Sequence, residues 1–405
     1  MRNSSSALRR QEYIQPKQQA AKAPLSNPLR GIGTMDHTIF LVVIILALFG
    51  IMMVFSSSYV ITGRSSFHNY NPFYYLQRHG IMAVLGFVAM NVMANFNYKY
   101  LKRFAMPLYL TSLGLLLLTF FIGVASHGSR RWIMIPVLEI QFQPSEIAKV
   151  ALILVLARIL SKNRNILNKW PGFIYCCGLV GVMAVFVAMG NLSTAIIIAI
   201  IGGGMIFMAS PHVTRFIVAG VAGVGGMLGY LYFMAYHASG AIGGQFRGGR
   251  FLAWRDPFSD MQGFGFQIVQ SLYAIASGGL FGLGIGQSRQ KTFLPEVHND
   301  VIFAVICEEL GLVGAGILLL LFSILIWRGL RIAMNATNTF GALVAVGIIL
   351  MIASQVIINV AVVTNSIPNT GIPMPFISYG GTALVVCMGC MGILLNISRH
   401  SKVDG

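Results

Sequence analysis

The chain has 405 residues, of which 56% are hydrophobic and only 10% are charged. A soluble globular protein carries about 25% charged residues, so this composition excludes an ordinary water-soluble domain. The formal net charge of +17 would suggest nucleic-acid binding in a soluble protein. Here the basic residues bracket apolar runs, so membrane topology explains the charge and no nucleic-acid partner is expected.

Residues 1–35 are polar and basic, a composition that predicts a disordered cytoplasmic tail. The apolar run that follows is too long for the hydrophobic region of a cleavable signal peptide, so we expect an uncleaved membrane anchor. The five cysteines all fall inside apolar stretches, where a buried thiol stays protonated. We interpret them as inert packing and not as a disulfide framework.

Long apolar runs recur along the rest of the chain, and a membrane span needs about 20 such residues. They predict an all-α integral membrane protein with about ten transmembrane helices, near residues 37–61, 79–97, 104–125, 144–161, 170–189, 192–209, 215–236, 300–327, 340–363 and 380–397. Between the fifth and sixth runs only Gly190-Asn191 intervenes, which predicts a tight turn. The predicted organisation is a tail (1–35), seven spans (36–236), a large external loop (237–299), three spans (300–397) and a second tail (398–405).

The distribution of basic residues sets the orientation in the membrane. With the N-terminus inside, most Lys and Arg residues fall on the cytoplasmic side, among them Lys99, Lys102, Arg328 and Arg399. The loop 237–299 also carries Arg, but long loops translocate largely regardless of charge. Both termini are therefore predicted to be cytoplasmic, and the loop to be external.

Acidic residues are scarce and clustered. Only eleven residues are acidic, and six of them lie between 256 and 309. Acids close to a membrane are costly and usually line a functional path. Asp256 precedes Pro257, a pair that predicts a helix start with Asp256 as its N-cap. Asp260 would then lie one turn into that helix and face a cavity; a solvated loop charge is the plain alternative.

A second charged cluster lies at the external start of the fourth predicted span. Glu146 and Lys149 are three residues apart and share one helix face. They form either an internal ion pair or part of a substrate path, and the two interpretations are compatible. Arg130-Arg131-Trp132 precedes this span, either as an interfacial anchor or as a clamp for an anion.

The end of the external loop, from Lys291 to Asp300, holds one Lys, two acids and a His. Their spacing matches no standard zinc pattern, so a metal site there is the minor hypothesis. The adjacent Glu308 and Glu309 would point about 100° apart on a helix, which predicts that at least one of them pairs locally.

Two segments predict irregular backbone. The glycine-rich run 278–286 is no phosphate-binding motif and predicts a flexible or close-packed turn. Three prolines within 367–376 exclude regular helix before the last span. Irregular backbone near the membrane is tolerated where it is buried in protein or lines a cavity.

Several stretches together carry a specific resemblance: Arg131-Trp132, Gln143-Pro144-Ser145-Glu146 with Lys149, Gly263 to Gln267, Ser277-Gly278-Gly279, Gln290-Lys291, Leu294-Pro295-Glu296 with His298, Ile302-Phe303-Ala304, Glu308 to Gly311, and Pro375 to Gly381. The chain resembles the SEDS family (shape, elongation, division and sporulation), whose members polymerise peptidoglycan glycan strands. The resemblance covers about 36–397. The variants at 290–291 and 298–300 are more similar to the division and sporulation branch than to the elongation branch.

In this family an essential aspartate shortly precedes a Gly-x-Gly-[Tyr/Phe]-Gln segment, which here is 263–267. The resemblance therefore implies Asp260 as the catalytic residue. Asn191 stands where the family usually has an aspartate. The resemblance implies substrate contacts for a further set of side chains: Arg131, Glu146, Lys149, Lys291, Glu296, His298 and Ser378.

The resemblance implies a peptidoglycan glycosyltransferase that polymerises lipid II on the external membrane face with inversion at the anomeric carbon. Asp260 would be the general base. Arg131, Lys149 and Lys291 would stabilise the leaving diphosphate, with a divalent cation, Mg²⁺ or Mn²⁺, as an open question.

The implied partners are a class B penicillin-binding protein that crosslinks the strands, other divisome proteins and membrane lipid. The implied location is the bacterial cytoplasmic membrane, at the septum for a division role. Two rival functions are a flippase for the same lipid and a non-catalytic division scaffold. Clustered external carboxylates favour the enzyme, because a scaffold needs none and a transporter more often places its acids at the midplane.

Overall fold

The computed structural model describes residues 35–64, 70–126, 129–135, 140–163, 165–211, 214–216, 218, 220, 250, 253–263, 265–294 and 297–401. Its helices are α1 (His37–Arg64), α2 (Tyr74–Asn95), α3 (Leu101–Ile122), α4 (Pro144–Lys162), α5 (Trp170–Gly190), α6 (Leu192–Ala209), α7 (Phe266–Gly278), α8 (Ile302–Asn335), α9 (Thr339–Val363) and α10 (Gly381–Arg399). Short 3₁₀ turns lie at Tyr98–Tyr100, Ile166–Asn168 and Gln290–Thr292.

The prediction of a helical multi-pass membrane protein is confirmed. Within the described ranges, seven helical segments are long and apolar enough to cross a membrane. The predicted spans near 79–97 and 144–161 are also helices, namely α2 and α4. The predicted seventh span, 215–236, lies almost entirely outside the described residues.

The spans pack around one continuous apolar core. α10 lies along α2, and α4 is surrounded by α3, α6 and α9. The tight turn expected at Gly190-Asn191 is present, because α5 ends at Gly190 and α6 begins at Leu192. The Asn191 side chain accepts hydrogen bonds from the backbone N–H groups of Ser193 and Thr194, so it serves as the N-cap of α6.

The sequence did not predict the small antiparallel sheet between α3 and α4. Its strands are β1 (Val124–Ser126), β2 (Ser129–Ile135) and β3 (Ile140–Phe142), in the order β1-β2-β3. Trp132 pairs with Val124, and Ile133 pairs with Phe142. The sheet places Arg131 on β2, and the neighbouring strand β3 ends just before the start of α4.

Both ends of the described chain lie at the same end of the bundle. The Asp36 N–H donates to the hydroxyl of Ser398 (3.1 Å), and the Asp36 carboxylate is 3.6 Å from Arg328. Arg399 donates to Asn95 (2.7 Å) at this same end. This agrees with the prediction that the termini share one side of the membrane; that this side is cytoplasmic stays a prediction.

Candidate functional site

Glu146 and Lys149 form a buried ion pair in the first turns of α4. Pro144 occupies the first helical turn, where its missing N–H is no loss, and Glu146 follows where an acid favours the helix dipole. The Lys149 ammonium lies 2.9 Å from one Glu146 oxygen, and both side chains are almost fully buried. Charges this deeply buried must be paired, so the prediction that they share one face as an ion pair is confirmed.

Glu146, whose second carboxylate oxygen is Oε2, lines a cavity of about 20 Å³ formed by α4, α9, α10 and the segment 373–380. This Oε2 atom and the Gln355 Oε1 atom have no hydrogen-bond partner within the described part of the chain. Both are acceptors, so the cavity favours a donor. Its volume accommodates about one water molecule and not a sugar. Ser378 also lines it, and its hydroxyl accepts from the Met374 N–H (2.7 Å).

The proline-rich segment before α10 is irregular, as predicted, and its residues range from half-buried to buried. It links the loop that carries Asp260 to the helical bundle. Trp254 donates its indole N–H to the Asn365 carbonyl (3.1 Å), and Asn365 donates back to the Trp254 carbonyl (3.3 Å). Asn369 donates to the Gln267 side chain (2.9 Å), close to the start of α7. These contacts hold the backbone on both sides of Asp260.

Asp260 lies in a series of tight turns and is exposed. The expectation of a helix that starts after Asp256-Pro257 is wrong, since residues 257–263 are turns and α7 begins at Phe266. Asp256 uses its side chain to accept from the Phe258 N–H (3.3 Å), as in an Asx turn. The Asp-Pro pattern therefore marks a turn start here and not a helix N-cap.

Two glycines allow the chain to fold closely around Asp260. The Asp260 carbonyl accepts from the Gly263 N–H (3.3 Å) and the Gly265 N–H (3.1 Å). A Cβ atom at Gly263 would collide with the Asp260 carboxylate. A Cβ atom at Gly265 would collide with the carbonyl of Pro257. The Gly-x-Gly spacing thus has a physical reason, which is the close approach of this backbone to the Asp260 turn.

Lys291 is buried, and its ammonium contacts groups from α1, from α8 and from the segment just before it. It lies 3.3 Å from Glu309 Oε1 and donates to the carbonyls of Ser56 (3.1 Å) and Gly286 (2.6 Å). The hydroxyl of Ser56 donates to the Glu309 carboxylate (2.7 Å). The three N–H donors of the ammonium thus have three protein acceptors, which ties α1, α8 and the loop before α8 together. Contact of Lys291 with substrate stays a prediction.

The expectation that at least one of the two adjacent acids pairs is met by the ion pair of Glu309 with Lys291. Glu308 is also buried, and its carboxylate is hydrogen-bonded. Its carboxylate accepts from the hydroxyl groups of Ser277 and Ser288 and from the Arg289 N–H (3.0 Å). Sequence reasoning missed Ser56, Ser277 and Ser288 as partners. Two adjacent acids in an apolar helix were the only signal, and that signal does not say which distant residues pair with them.

His298 lies in an aromatic cluster beside Ser378. Its ring centroid is 4.0 Å from that of Tyr75 and 5.4 Å from that of Tyr379. The His298 carbonyl accepts from the Tyr379 N–H (2.8 Å), which joins the loop end to the segment before α10.

Burial raises the pKa of the Tyr379 hydroxyl, and Arg78 opposes this rise. Burial lowers the pKa of Arg250 at the other end of the loop, while the charge of Asp300 raises it.

Arg131 lines a different cavity, of about 230 Å³, on the other side of the α4 start. Its Nε–H donates to the Gly190 carbonyl (2.8 Å). Ser145 and Asn191 share this lining, and the Ser145 hydroxyl is buried with no hydrogen-bond partner in the described residues. The structure therefore brings Glu146, Lys149 and Ser378 together, with His298 adjacent, but it places Arg131 and Lys291 in separate surroundings.

The predicted substrate contact of Glu296 cannot be placed, because Glu296 lies outside the described residues. Among the residues that the structure describes, no group of three or more His, Cys, Asp or Glu side chains could hold a metal ion.

Fold and site define a multi-pass membrane protein with buried charge pairs and an exposed Asp turn at one end of the bundle. The model of the FtsW/RodA/SpoVE family, described as cell cycle proteins, matches residues 36–403. The chain belongs to this family, the SEDS family, as the sequence motifs predicted.

Relatives and solved structures agree with this assignment. The chain is 39% identical to stage V sporulation protein E of Bacillus subtilis over 91% of its own length and 98% of the relative's. It is 36% identical to a probable peptidoglycan glycosyltransferase FtsW of Geobacter sp. (strain M18), over 92% and 99% of the two chains. Its fold is similar to a chain of a peptidoglycan synthase complex that coordinates polymerization and crosslinking, with a TM-score of 0.72, 26% identity and coverage of 91% and 99%.

Proposed function

We propose that this protein is a peptidoglycan glycosyltransferase that polymerises lipid II on the external face of the bacterial cytoplasmic membrane. The observation that carries the proposal is the family match over residues 36–403, together with relatives named as glycosyltransferases. The exposed acid in a tightly built turn supports it, because a general base must be reachable by the hydroxyl that it deprotonates.

The reaction forms one glycosidic bond and breaks one bond to diphosphate. The 4-hydroxyl of the acceptor sugar attacks the anomeric carbon of the lipid-linked donor, and polyprenyl diphosphate leaves with the bonding electron pair. Asp260 accepts the hydroxyl proton. An α-linked donor and a β-linked product require a single inversion, so no covalent enzyme intermediate is needed. Developing charge on the diphosphate calls for cations. We propose Arg131, which lines the larger cavity, and Lys149 once the residues that bury its ion pair with Glu146 move.

The geometry supports different roles for the remaining predicted contacts. Lys291 already donates to three protein acceptors, which favours a role in holding the loop over direct substrate contact. The cavity beside Glu146 and Ser378 has room for about one water, so a sugar would contact this pair only after residues 373–378 move. Substrate contacts of His298 and Glu296 remain part of the proposal.

The proposed setting is cell division or sporulation, which the names of the two relatives support. The proposed partner is a class B penicillin-binding protein, because the similar solved chain comes from a complex that couples polymerization to crosslinking. A flippase for the same lipid and a non-catalytic scaffold are the competing functions. A flippase would translocate labelled lipid II in vesicles without forming polymer, and a scaffold would do neither.

Purified protein with labelled lipid II tests the proposal, with and without the transpeptidase partner and with and without a chelator. Wild type should yield polymer, and Asp260→Asn should reduce the rate by at least about 100-fold, as expected for loss of a general base. Asp256→Asn is the matched control, since Asp256 is an exposed aspartate of the same turn region. Equal polymerisation by wild type and Asp260→Asn would exclude the proposed role of Asp260. Lipid translocation without polymer would favour the flippase.

A further inference from the structure

The glycine-rich segment 279–286 follows α7 and presents large apolar side chains outward. Phe281 is 80% exposed, and Leu280 and Ile285 are also exposed. The segment continues into an exposed apolar face of α8 that includes Leu312 and Val313. An apolar patch of this kind would be costly on a loop that faces water, so we ask what covers these side chains.

The backbone of this segment is hydrogen-bonded to α8 where that helix is interrupted. Gly311 has a φ of 68°, which breaks the helical hydrogen-bond pattern. The N–H groups of Leu283 and Gly284 donate to the carbonyls of Glu308 and Glu309, both at 2.9 Å. In return, the N–H groups of residues 312 and 313 donate to the carbonyls of residues 279 and 280 (3.0 and 3.1 Å).

This close pairing depends on glycine. A Cβ atom at Gly278 would collide with the Cys307 carbonyl, and one at Gly282 with the Glu309 carbonyl. A Cβ atom at Gly311 would collide with the backbone of Gly282 and Leu280. The expectation of a close-packed turn is therefore met. The pairing also removes polar backbone groups from solvent, which is the condition under which irregular backbone is tolerated at membrane depth.

The length of α8 gives the depth of this turn. Trp327, Arg328 and Arg331 mark the cytoplasmic boundary, since Arg331 lies over the exposed Trp327 ring (4.1 Å) and Arg328 pairs with Asp36. A hydrocarbon core of about 30 Å takes about 20 helical residues. If the core begins at Arg328, about 20 residues back along α8 end at residue 308. Residues 311–313, and the segment hydrogen-bonded to them, therefore lie near the outer edge of the hydrocarbon core. Helix tilt would extend the core further along the chain.

We infer that residues 279–286 form a re-entrant turn that inserts Leu280, Phe281 and Ile285 among the acyl chains of the outer leaflet. The occupant of the exposed patch is membrane lipid, because the patch is continuous with the lipid-facing side of α8. Glu308 and Glu309 are fully buried, Glu308 with hydrogen-bond donors around its carboxylate and Glu309 with Lys291 beside it. This arrangement suits a depth at which a charge without partners is costly. The turn lies between α7 and Lys291, so it anchors the external loop at a fixed height in the membrane.

Spin labels provide the test. Single labels are placed at Phe281, at Leu320 in the middle of α8 and at Gln262 in the exposed turn, in a variant whose five cysteines are replaced by alanine. The protein is reconstituted in phosphatidylcholine vesicles without any partner. We expect the ratio of oxygen to nickel-chelate accessibility at position 281 to be several-fold above that at 262 and below that at 320, because this ratio rises with depth and 320 lies nearer the bilayer centre. A ratio equal to that at 262, or shielding from both reagents, would overturn the inference.

A second measurement avoids the cysteine-free background. Phe281→Trp and Gln262→Trp are made in the otherwise unchanged protein, and brominated phosphatidylcholine is used as the quencher. Trp emission added at position 281 should be quenched by lipids brominated near the headgroup end of the acyl chains. Emission added at position 262 should not be quenched. Equal quenching at the two positions would count against insertion. Neither readout depends on polymerisation, so the inference stands or falls independently of the proposed function.

Discussion

At the scale of single residues, the close contact between Asp260 and the two glycines that follow it leads to a direct prediction. The three atoms nearest to a methyl group at position 263 all belong to the Asp260 carboxylate, whereas a methyl group at 265 would meet the Pro257 backbone. Gly263→Ala should therefore shift the carboxylate and leave the fold intact. A displacement of about 1 Å at a reacting group can cost about 100-fold in rate.

We expect Gly263→Ala to lower kcat by roughly 10- to 100-fold, at an unchanged melting temperature and a similar KM for lipid II. Gly265→Ala serves as the comparison, since its backbone clash should lower both activity and thermal stability. Polymerisation kinetics and thermal unfolding in detergent measure both effects. Wild-type kcat in Gly263→Ala would show that the carboxylate position does not limit the reaction.

Asn191 occupies a position where the family usually has an aspartate, so its capping role can be tested separately from the effect of a charge. Its side-chain oxygen caps α6, which an aspartate at the same position could do equally well. We expect Asn191→Asp to retain the fold and Asn191→Ala to cost about 1 kcal/mol of stability through loss of the cap. Thermal unfolding of the two variants in the same detergent measures the difference. A melting temperature for Asn191→Ala equal to that of wild type would contradict the capping role.

At the scale of elements, the buried pair of Lys291 and Glu309 joins α1, α8 and the loop. Removal of one partner leaves an unpaired buried charge, which costs about 3–5 kcal/mol. Lys291→Met should therefore be strongly destabilised. The double variant Lys291→Met with Glu309→Gln should recover a large part of this loss, because the replacing amide is neutral and can still accept from Ser56. Thermal unfolding of the single and double variants gives the coupling. Additive losses would contradict the ion-pair assignment.

The elements also show what local sequence patterns can and cannot predict. Long apolar runs predicted the helices on either side of Gly190-Asn191, and the prolines predicted irregular backbone before α10, because both signals are local. The Asp256-Pro257 pattern was misinterpreted, since it is compatible with both a helix N-cap and a turn. The partners of Glu309 were not predictable, because Ser56 is 253 residues away in the chain.

At the scale of the whole molecule, the candidate site is assembled from segments that are far apart in sequence. The loop around Asp260 is held by residues 365–369, and the same segment continues to Ser378 beside Glu146. Sequence motifs identified most of these residues by family resemblance, but they could not show that Arg131 and Glu146 line separate cavities. That separation follows from side chains on opposite sides of the α4 start, which only the packing of neighbouring helices determines.

The orientation of the whole bundle yields the last prediction. Asp36, Ser398, Arg328 and Arg399 lie at one end of the bundle. By sequence, most of the basic residues belong to the side of the membrane that holds the termini. The excess of positive charge predicts that this end faces the cytoplasm. A fluorescent protein fused after residue 405 should therefore fold and fluoresce. Alkaline phosphatase inserted at Gln262 should be active, because it reaches the oxidising side where its disulfides form. The reverse pattern would place Asp260 on the cytoplasmic side, where a polymerase of external glycan strands could not act.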